Sequence, residues 1–132
     1  MKRVFLLSLV LGAAILAACS SATTEADVCV SVDQVNDAVA IARLVTPQSD
    51  QQALISANTQ LLNSWSTLMS DAEKLNNEKL NAALAPANEV IISIPAVTQQ
   101  TPPAVAVETI QAQANAADKG IAPVVEYCHS AP

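Results

Sequence analysis

The sequence predicts an all-α protein, an up-and-down four-helix bundle closed by one disulfide between its first and last helices. Apolar residues recur at intervals of three and four in four separate segments, which is the spacing of one helix face. Glycine and aromatic residues, which β-rich domains use in turns and strands, are scarce: the chain has 2 Gly, 1 Trp, 1 Tyr and 1 Phe. One cysteine lies near the start of the helical region and another near its end, as a clasp between terminal helices requires.

The first predicted helix begins after Thr24. Thr24 with Asp27 three residues later forms a capping box, and Ser31 with Gln34 offers a second one within the same segment. The apolar face steps by four and three through Val28, Val32, Val35, Val39 and Ala42. We expect this helix to end near Val45.

The second predicted helix is the longest. Thr46 and Pro47 predict its start, because Thr caps well and Pro at the first position has no N–H to leave unpaired. Leucines recur every seven residues, at Leu54, Leu61, Leu68 and Leu75. The companion seam positions are Asn58, Trp65 and Ala72. Four such heptads predict a helix packed against others, and the wide apolar stripe favours an intramolecular bundle over a zipper dimer.

Prolines lie within the third and fourth predicted helices and near their ends. Asn77 can cap the third helix, Pro86 lies within it, and Pro95 bends or ends it. Its apolar face contains Leu80, Leu84, Ala87, Ile91 and Ile94. A loop and a new cap at 99–103 precede the fourth helix, whose face runs through Val107, Ile110, Ala114, Ala117, Ile121, Val124 and Cys128. Because the heptad register of this face continues through Gly120 and Pro123, we expect one bent helix rather than two separate helices.

Cys29 and Cys128 support the count of four helices. An even number of antiparallel helices returns the chain to its starting end, so the two cysteines meet, whereas three helices would leave them a helix length apart. A disulfide requires Cα atoms within about 7 Å. We therefore predict a structural Cys29–Cys128 bond rather than a catalytic pair, which would usually be a C-x-x-C motif.

The N-terminal segment has the pattern of an export signal. Lys2 and Arg3 precede an apolar run that is shorter than the roughly 20 residues of a membrane span. The stretch Leu16-Ala17-Ala18-Cys19 resembles the lipobox of bacterial lipoproteins, which are substrates of type II signal peptidase. The alternative is an ordinary secretory signal with Cys19 as a spare thiol.

The resemblance implies how the protein is attached to a membrane and on which side of it. Cys19 would carry a diacylglyceryl group and an N-acyl chain such as palmitate, and cleavage would remove residues 1–18. The protein would then be anchored on the extracytoplasmic face of the cell membrane, or on an outer membrane if the organism has one. Residues 19–23 would form a short tether, residues 24–129 the helical domain and residues 130–132 a tail. Lipidation of Cys19 also leaves an even pair of cysteines for the disulfide.

Composition excludes several classes of function. The predicted mature chain keeps four Lys and Arg against all twelve Asp and Glu, a formal net charge of −8, which argues against nucleic acid as a partner. His129 is the only histidine, so neither a histidine triad nor a multi-histidine metal site is available. The glycine content allows no phosphate-binding loop. We predict no catalytic residues, no metal site and no cofactor beyond the lipid on Cys19.

Trp65 and Tyr127 leave two ligand hypotheses open. Trp65 is most simply a core anchor, but it could instead line a cavity between the helices that takes an apolar ligand. Tyr127 and His129 flank Cys128 as candidate haem ligands, although packing of Tyr127 beside the disulfide is the simpler interpretation.

The layout of lipobox, acidic Ala-rich helices and terminal cysteines resembles small helical lipoproteins of actinobacteria, most of unassigned function. We therefore expect a non-enzymatic cell-envelope lipoprotein that acts through contacts with an envelope protein, in an accessory or structural role. The alternative is a carrier of an apolar ligand, such as a lipid or haem, in the bundle interior.

Overall fold

Four α-helices build the domain. The structure is a computed structural model that describes residues 22–130. Its helices are α1 (Glu25–Ala42), α2 (Gln51–Leu75), α3 (Glu78–Ser93) and α4 (Pro103–Ser130). No strand occurs within the described range, so the predicted all-α class is confirmed. The predicted leader (1–18), Cys19 and the last two residues of the tail lie outside the described residues.

The helices pack as an antiparallel bundle with two long members at its centre. α1 and α3 each pack against both α2 and α4, while α2 and α4 also contact each other, so α1 and α3 occupy opposite corners. The disulfide and the turn between α2 and α3 lie at one end, here called the disulfide end. The loops 43–50 and 94–102 lie at the other, here called the distal end. The fully buried core includes Leu54, Leu61, Leu68, Leu84, Ile91, Ile110 and Ile121, and burial stabilises each such side chain by about 1.5–3 kcal/mol.

Helix caps explain most of the boundaries. The backbone N–H and hydroxyl of Thr24 bond the Asp27 carboxylate at 2.6 and 2.8 Å, and the Thr24 oxygen accepts the Asp27 N–H, which completes the predicted capping box. The Asn77 side chain caps α3 through the Leu80 N–H at 3.1 Å, also as predicted. Between α2 and α3, Asn76 takes the left-handed conformation with φ 53° that ends many helices.

Other boundary predictions were wrong. Thr46 does not cap α2: α2 begins at Gln51, capped by Asp50 through the Ala53 N–H at 2.7 Å. α1 ends at Ala42 rather than near Val45, and Ser31 is not a second cap, because it lies inside α1. α4 extends to Ser130, the first residue of the predicted tail. α4 is continuous through Gly120 and Pro123, as predicted.

The two helical hairpins share one plan, which the sequence analysis did not detect. In the first loop the Thr46 N–H donates to the Ser49 hydroxyl at 3.0 Å, and the Ser49 N–H donates to the Thr46 carbonyl at 2.9 Å. Thr98 and Thr101 repeat both bonds at 3.0 and 3.1 Å, 52 residues later (98 − 46 = 52). Each turn follows a buried valine, Val45 or Val97. The α1–α2 pair and the α3–α4 pair therefore form corresponding halves, called the first and second hairpins below.

Candidate functional site

The disulfide closes the bundle where the sequence predicted it. Cys29 near the start of α1 and Cys128 near the end of α4 are bonded, with their Cα atoms 5.7 Å apart. Both residues are half-buried. The bond joins positions 99 residues apart, and a loop of that size stabilises the fold by up to about 4.7 kcal/mol in the chain-entropy description. This bond is the structural clasp predicted for the pair.

Trp65 lies in the core of the bundle and is only 2% exposed. Its indole Nε1 donates to the Asn88 side-chain oxygen of α3 at 2.9 Å. Gly120 of α4 also packs against the indole ring. A Cβ added at Gly120 would lie 3.0 Å from the ring and would collide with Ala87 of α3. Trp65 therefore acts as an anchor between α2, α3 and α4, while the cavity that we hypothesised beside it stays a prediction.

A buried amide pair ties α2 to α4. The Asn58 amide group donates to the Gln113 side-chain oxygen at 2.5 Å, and both residues are at most 1% exposed. The Asn58 oxygen accepts the Val97 N–H at 2.8 Å, and the Gln113 amide donates to the Ile94 carbonyl at 3.3 Å. The pair thus satisfies two backbone groups of loop 94–102 that would otherwise be costly to bury. The heptad pattern placed Asn58 on the seam of the second helix, but it gave no signal that Gln113 was its partner.

A groove between α3 and α4 opens at the disulfide end. It has a volume of about 460 Å³, within the range of small-molecule sites. Leu80 and Val124, both buried, together with Ala83, Pro123 and Tyr127, give it apolar walls. Its polar lining residues are Asn77, Lys79, Glu126 and Ser130. We call this feature the α3–α4 groove; the sequence analysis did not predict it.

Tyr127 connects this groove to the start of α1. Interaction of its hydroxyl with the Glu25 carboxylate raises the pKa of Tyr127 above its ordinary value of 10.0. The Cys29–Cys128 bond also joins the first two turns of α1 to the last turn of α4, which contributes to the groove lining. His129, the other candidate haem ligand, lies exposed in the last turn of α4, and the groove is not lined by it.

Apolar side chains are concentrated on the surface of the distal half. Leu44, just after α1, is 78% exposed, and Ile92, near the end of α3, is 71% exposed. The remaining exposed large apolar side chains are Val30, Ile41, Val90 and Val105. All of them except Val30 belong to the half of the bundle that carries the two loops.

No three His, Cys, Asp or Glu side chains among residues 22–130 come together in a way that could hold a metal ion. Two further polar contacts join helices: Ser31 donates to Asp71 at 2.7 Å, and Arg43 pairs with Asp118 at 2.8 Å on the surface. Residues 22–130 also include no helix with the length and apolar character needed to cross a membrane.

No protein-family model, curated protein or solved structure matches this chain.

Proposed function

We propose that the chain is a lipid-anchored, non-enzymatic lipoprotein of the bacterial cell envelope that acts through protein contacts in an accessory or structural role. It is held through lipidated Cys19 on the extracytoplasmic face of a membrane. The lipobox pattern that ends at Cys19 supports the anchor. The Cys29–Cys128 bond supports export, because disulfides persist in oxidising compartments.

The observation that carries the contact role is the exposure of Leu44 and Ile92. These side chains are 78% and 71% exposed, and a partner that covered them would remove their apolar surface from water. Both residues lie at the end opposite the disulfide. A tether that begins before Glu25 holds the disulfide end near the membrane and turns the distal end towards other envelope proteins.

Site-specific photo-cross-linking in living cells tests the contact role. A photoreactive residue replaces Leu44 or Ile92 in the full chain, and Val30 serves as the matched control because it is also exposed and apolar but lies near the disulfide end. We expect a discrete cross-linked product from the two distal positions and none from Val30. Equal products from all three positions, or no product from any, would contradict contact through the distal end.

Fractionation of a Cys19→Ser variant tests the anchor. This change removes the thiol that the lipid requires, so the protein should appear in an uncleaved or unlipidated form, and no mature form should be retained in the membrane fraction. A Cys29→Ser, Cys128→Ser double variant is the control: it loses the disulfide, keeps the anchor and should remain in the membrane fraction. Retention of a mature Cys19→Ser protein would contradict the anchor.

A second candidate function is carriage of an apolar ligand, and the α3–α4 groove is the observation that favours it. Its apolar walls and its volume suit part of a lipid. Native mass spectrometry of protein extracted gently from its own membranes would show a reproducible noncovalent excess if a ligand is carried. A mass explained by the covalent protein alone would remove this candidate.

A further inference from the structure

We propose that the α3–α4 groove is the docking site for an acyl chain carried by Cys19 of the same molecule. This inference rests on the lipid anchor of the proposed function and adds a second location for one of its chains. The protein would thus hold part of its own anchor in the groove instead of leaving every chain in the bilayer.

Comparison of the two hairpins shows why the groove is open and apolar. In the first hairpin the corresponding space is occupied by Ser31 of α1 and Asp71 of α2, whose side chains bond each other at 2.7 Å. Moving 52 residues along the chain replaces Ser31 with Ala83 and Asp71 with Pro123, and both line the groove. Neither Ala nor Pro has a side-chain group that can hydrogen-bond across the space. The second hairpin thus has an open groove where the first has a polar contact.

The position of the groove suits an occupant that arrives through the N-terminal tether. The groove lies at the disulfide end: Tyr127 in its wall is the chain neighbour of Cys128, which is bonded to Cys29, four residues after Glu25 at the start of α1. Cys19 precedes Glu25 by six residues (25 − 19 = 6), and an extended chain of that length spans about 20 Å. A lipid attached at Cys19 can thus reach the groove without any movement of the bundle.

The chemistry of the groove also suits an acyl chain. Ala83, Pro123 and Tyr127 give the groove accessible apolar surface that would contact the chain's methylenes, and removal of those methylenes from water is favourable. Lys79 and Glu126, which are exposed, bring one charge of each sign to the lining, so no net charge favours an ionic ligand.

Cross-linking through the lipid itself tests this inference. Cells that produce the full chain are fed a palmitate bearing a diazirine, which labels Cys19 along with membrane lipids, and the cells are then irradiated. Peptide mass spectrometry is expected to find the Cys19 lipopeptide joined to a peptide that contains Ala83 or Tyr127 of the same molecule. Groove peptides that carry a phospholipid instead would identify a membrane lipid as the occupant and overturn the proposal.

Two variants on adjacent residues of α3 make the test specific. Ala83→Leu places a larger side chain in the groove, whereas Ala82→Leu makes the same change at an exposed position outside it. Loss of the cross-linked peptide in Ala83→Leu and its persistence in Ala82→Leu is the expected result. Equal cross-linking in both variants would overturn the proposal.

The two proposals fail in distinguishable ways. A labelled Cys19 without any groove cross-link overturns the groove inference and leaves the anchor intact. A mature protein whose Cys19 carries no label overturns both.

Discussion

Gly120 of α4 lies against the indole ring of Trp65 on α2. A Cβ at position 120 would stand 3.0 Å from the ring and would collide with Ala87 of α3. Three helices thus approach one another at a point where one of them has no side chain. This contact gives Gly120 a packing role in the middle of a helix, a position where glycine otherwise costs about 1 kcal/mol relative to alanine.

We predict that Gly120→Ala destabilises the domain by about 1–3 kcal/mol despite alanine's better helix propensity, because neither the ring of Trp65 nor the Cβ of Ala87 can rotate away. Urea denaturation measures this change. In an Ala87→Gly background the same substitution should cost clearly less, since the closest obstacle is gone. An equal cost in both backgrounds would contradict the packing explanation.

The Asn58–Gln113 pair predicts non-additive mutational effects. Gln113→Leu leaves the buried Asn58 amide group without its partner and should cost about 1–3 kcal/mol. Asn58→Leu should lower the free energy of unfolding at least as much. It should also speed hydrogen exchange of the Val97 backbone N–H, which donates a hydrogen bond to the Asn58 side-chain oxygen. The double variant should cost less than the sum of the two. Asn63→Ala, on the exposed face of α2, is the control and should change stability little. Strictly additive effects of Asn58→Leu and Gln113→Leu would contradict an energetic coupling between the two side chains.

The capping box predicts a pH dependence of stability. Hydrogen bonds from the Thr24 backbone N–H and hydroxyl lower the pKa of Asp27 in the folded protein below its ordinary value of 3.8. A depressed folded-state pKa stabilises the fold above the unfolded-state pKa, and this stability is lost as the pH falls through the folded-state pKa. Asp27→Asn should therefore lower Tm at pH 7 and have a smaller effect below pH 3.8. A difference in Tm that does not change between these conditions would contradict the prediction.

Tyr127 provides a direct test of the contact between α1 and the wall of the groove. Its pKa is raised by Glu25, and it is the only tyrosine in the chain, so ultraviolet absorbance during an alkaline titration reports it alone. Glu25→Gln should move the pKa of Tyr127 downward. Glu126→Gln is the control, because Glu126 is the chain neighbour but not a cause of the shift. An unchanged pKa of Tyr127 in Glu25→Gln would contradict a contact between the start of α1 and the wall of the groove.

Periodicity was enough to predict the helices and the disulfide. The seven-residue recurrence from Leu54 to Leu75 has one physical solution, a long helix with a buried face, and an even number of helices brings Cys29 and Cys128 together. Asn77 was predictable as a cap because its side chain bonds a group three residues away. All of these features depend on local spacing or on the number of chain reversals.

Long-range complementarity was not predictable in the same way. Gln113 is fully buried only because Asn58 lies opposite it, and no local pattern links positions 55 residues apart. The start of α2 was misplaced because Pro47 fits a turn as well as a first helical turn, and the capping side chain is Asp50. Ala83 and Pro123 line the α3–α4 groove, and their lack of hydrogen-bonding side-chain groups is significant only beside the Ser31–Asp71 contact of the first hairpin.

The intact mass of the protein extracted from its own membranes is the most direct test of a disulfide-closed domain anchored through Cys19. We predict a chain that begins at Cys19, carries a diacylglyceryl group and an additional acyl chain, and is two hydrogens lighter than its reduced form because of the Cys29–Cys128 bond. A chain that begins at another residue, or a free, unmodified thiol at Cys19, would contradict the anchor and the groove inference that rests on it.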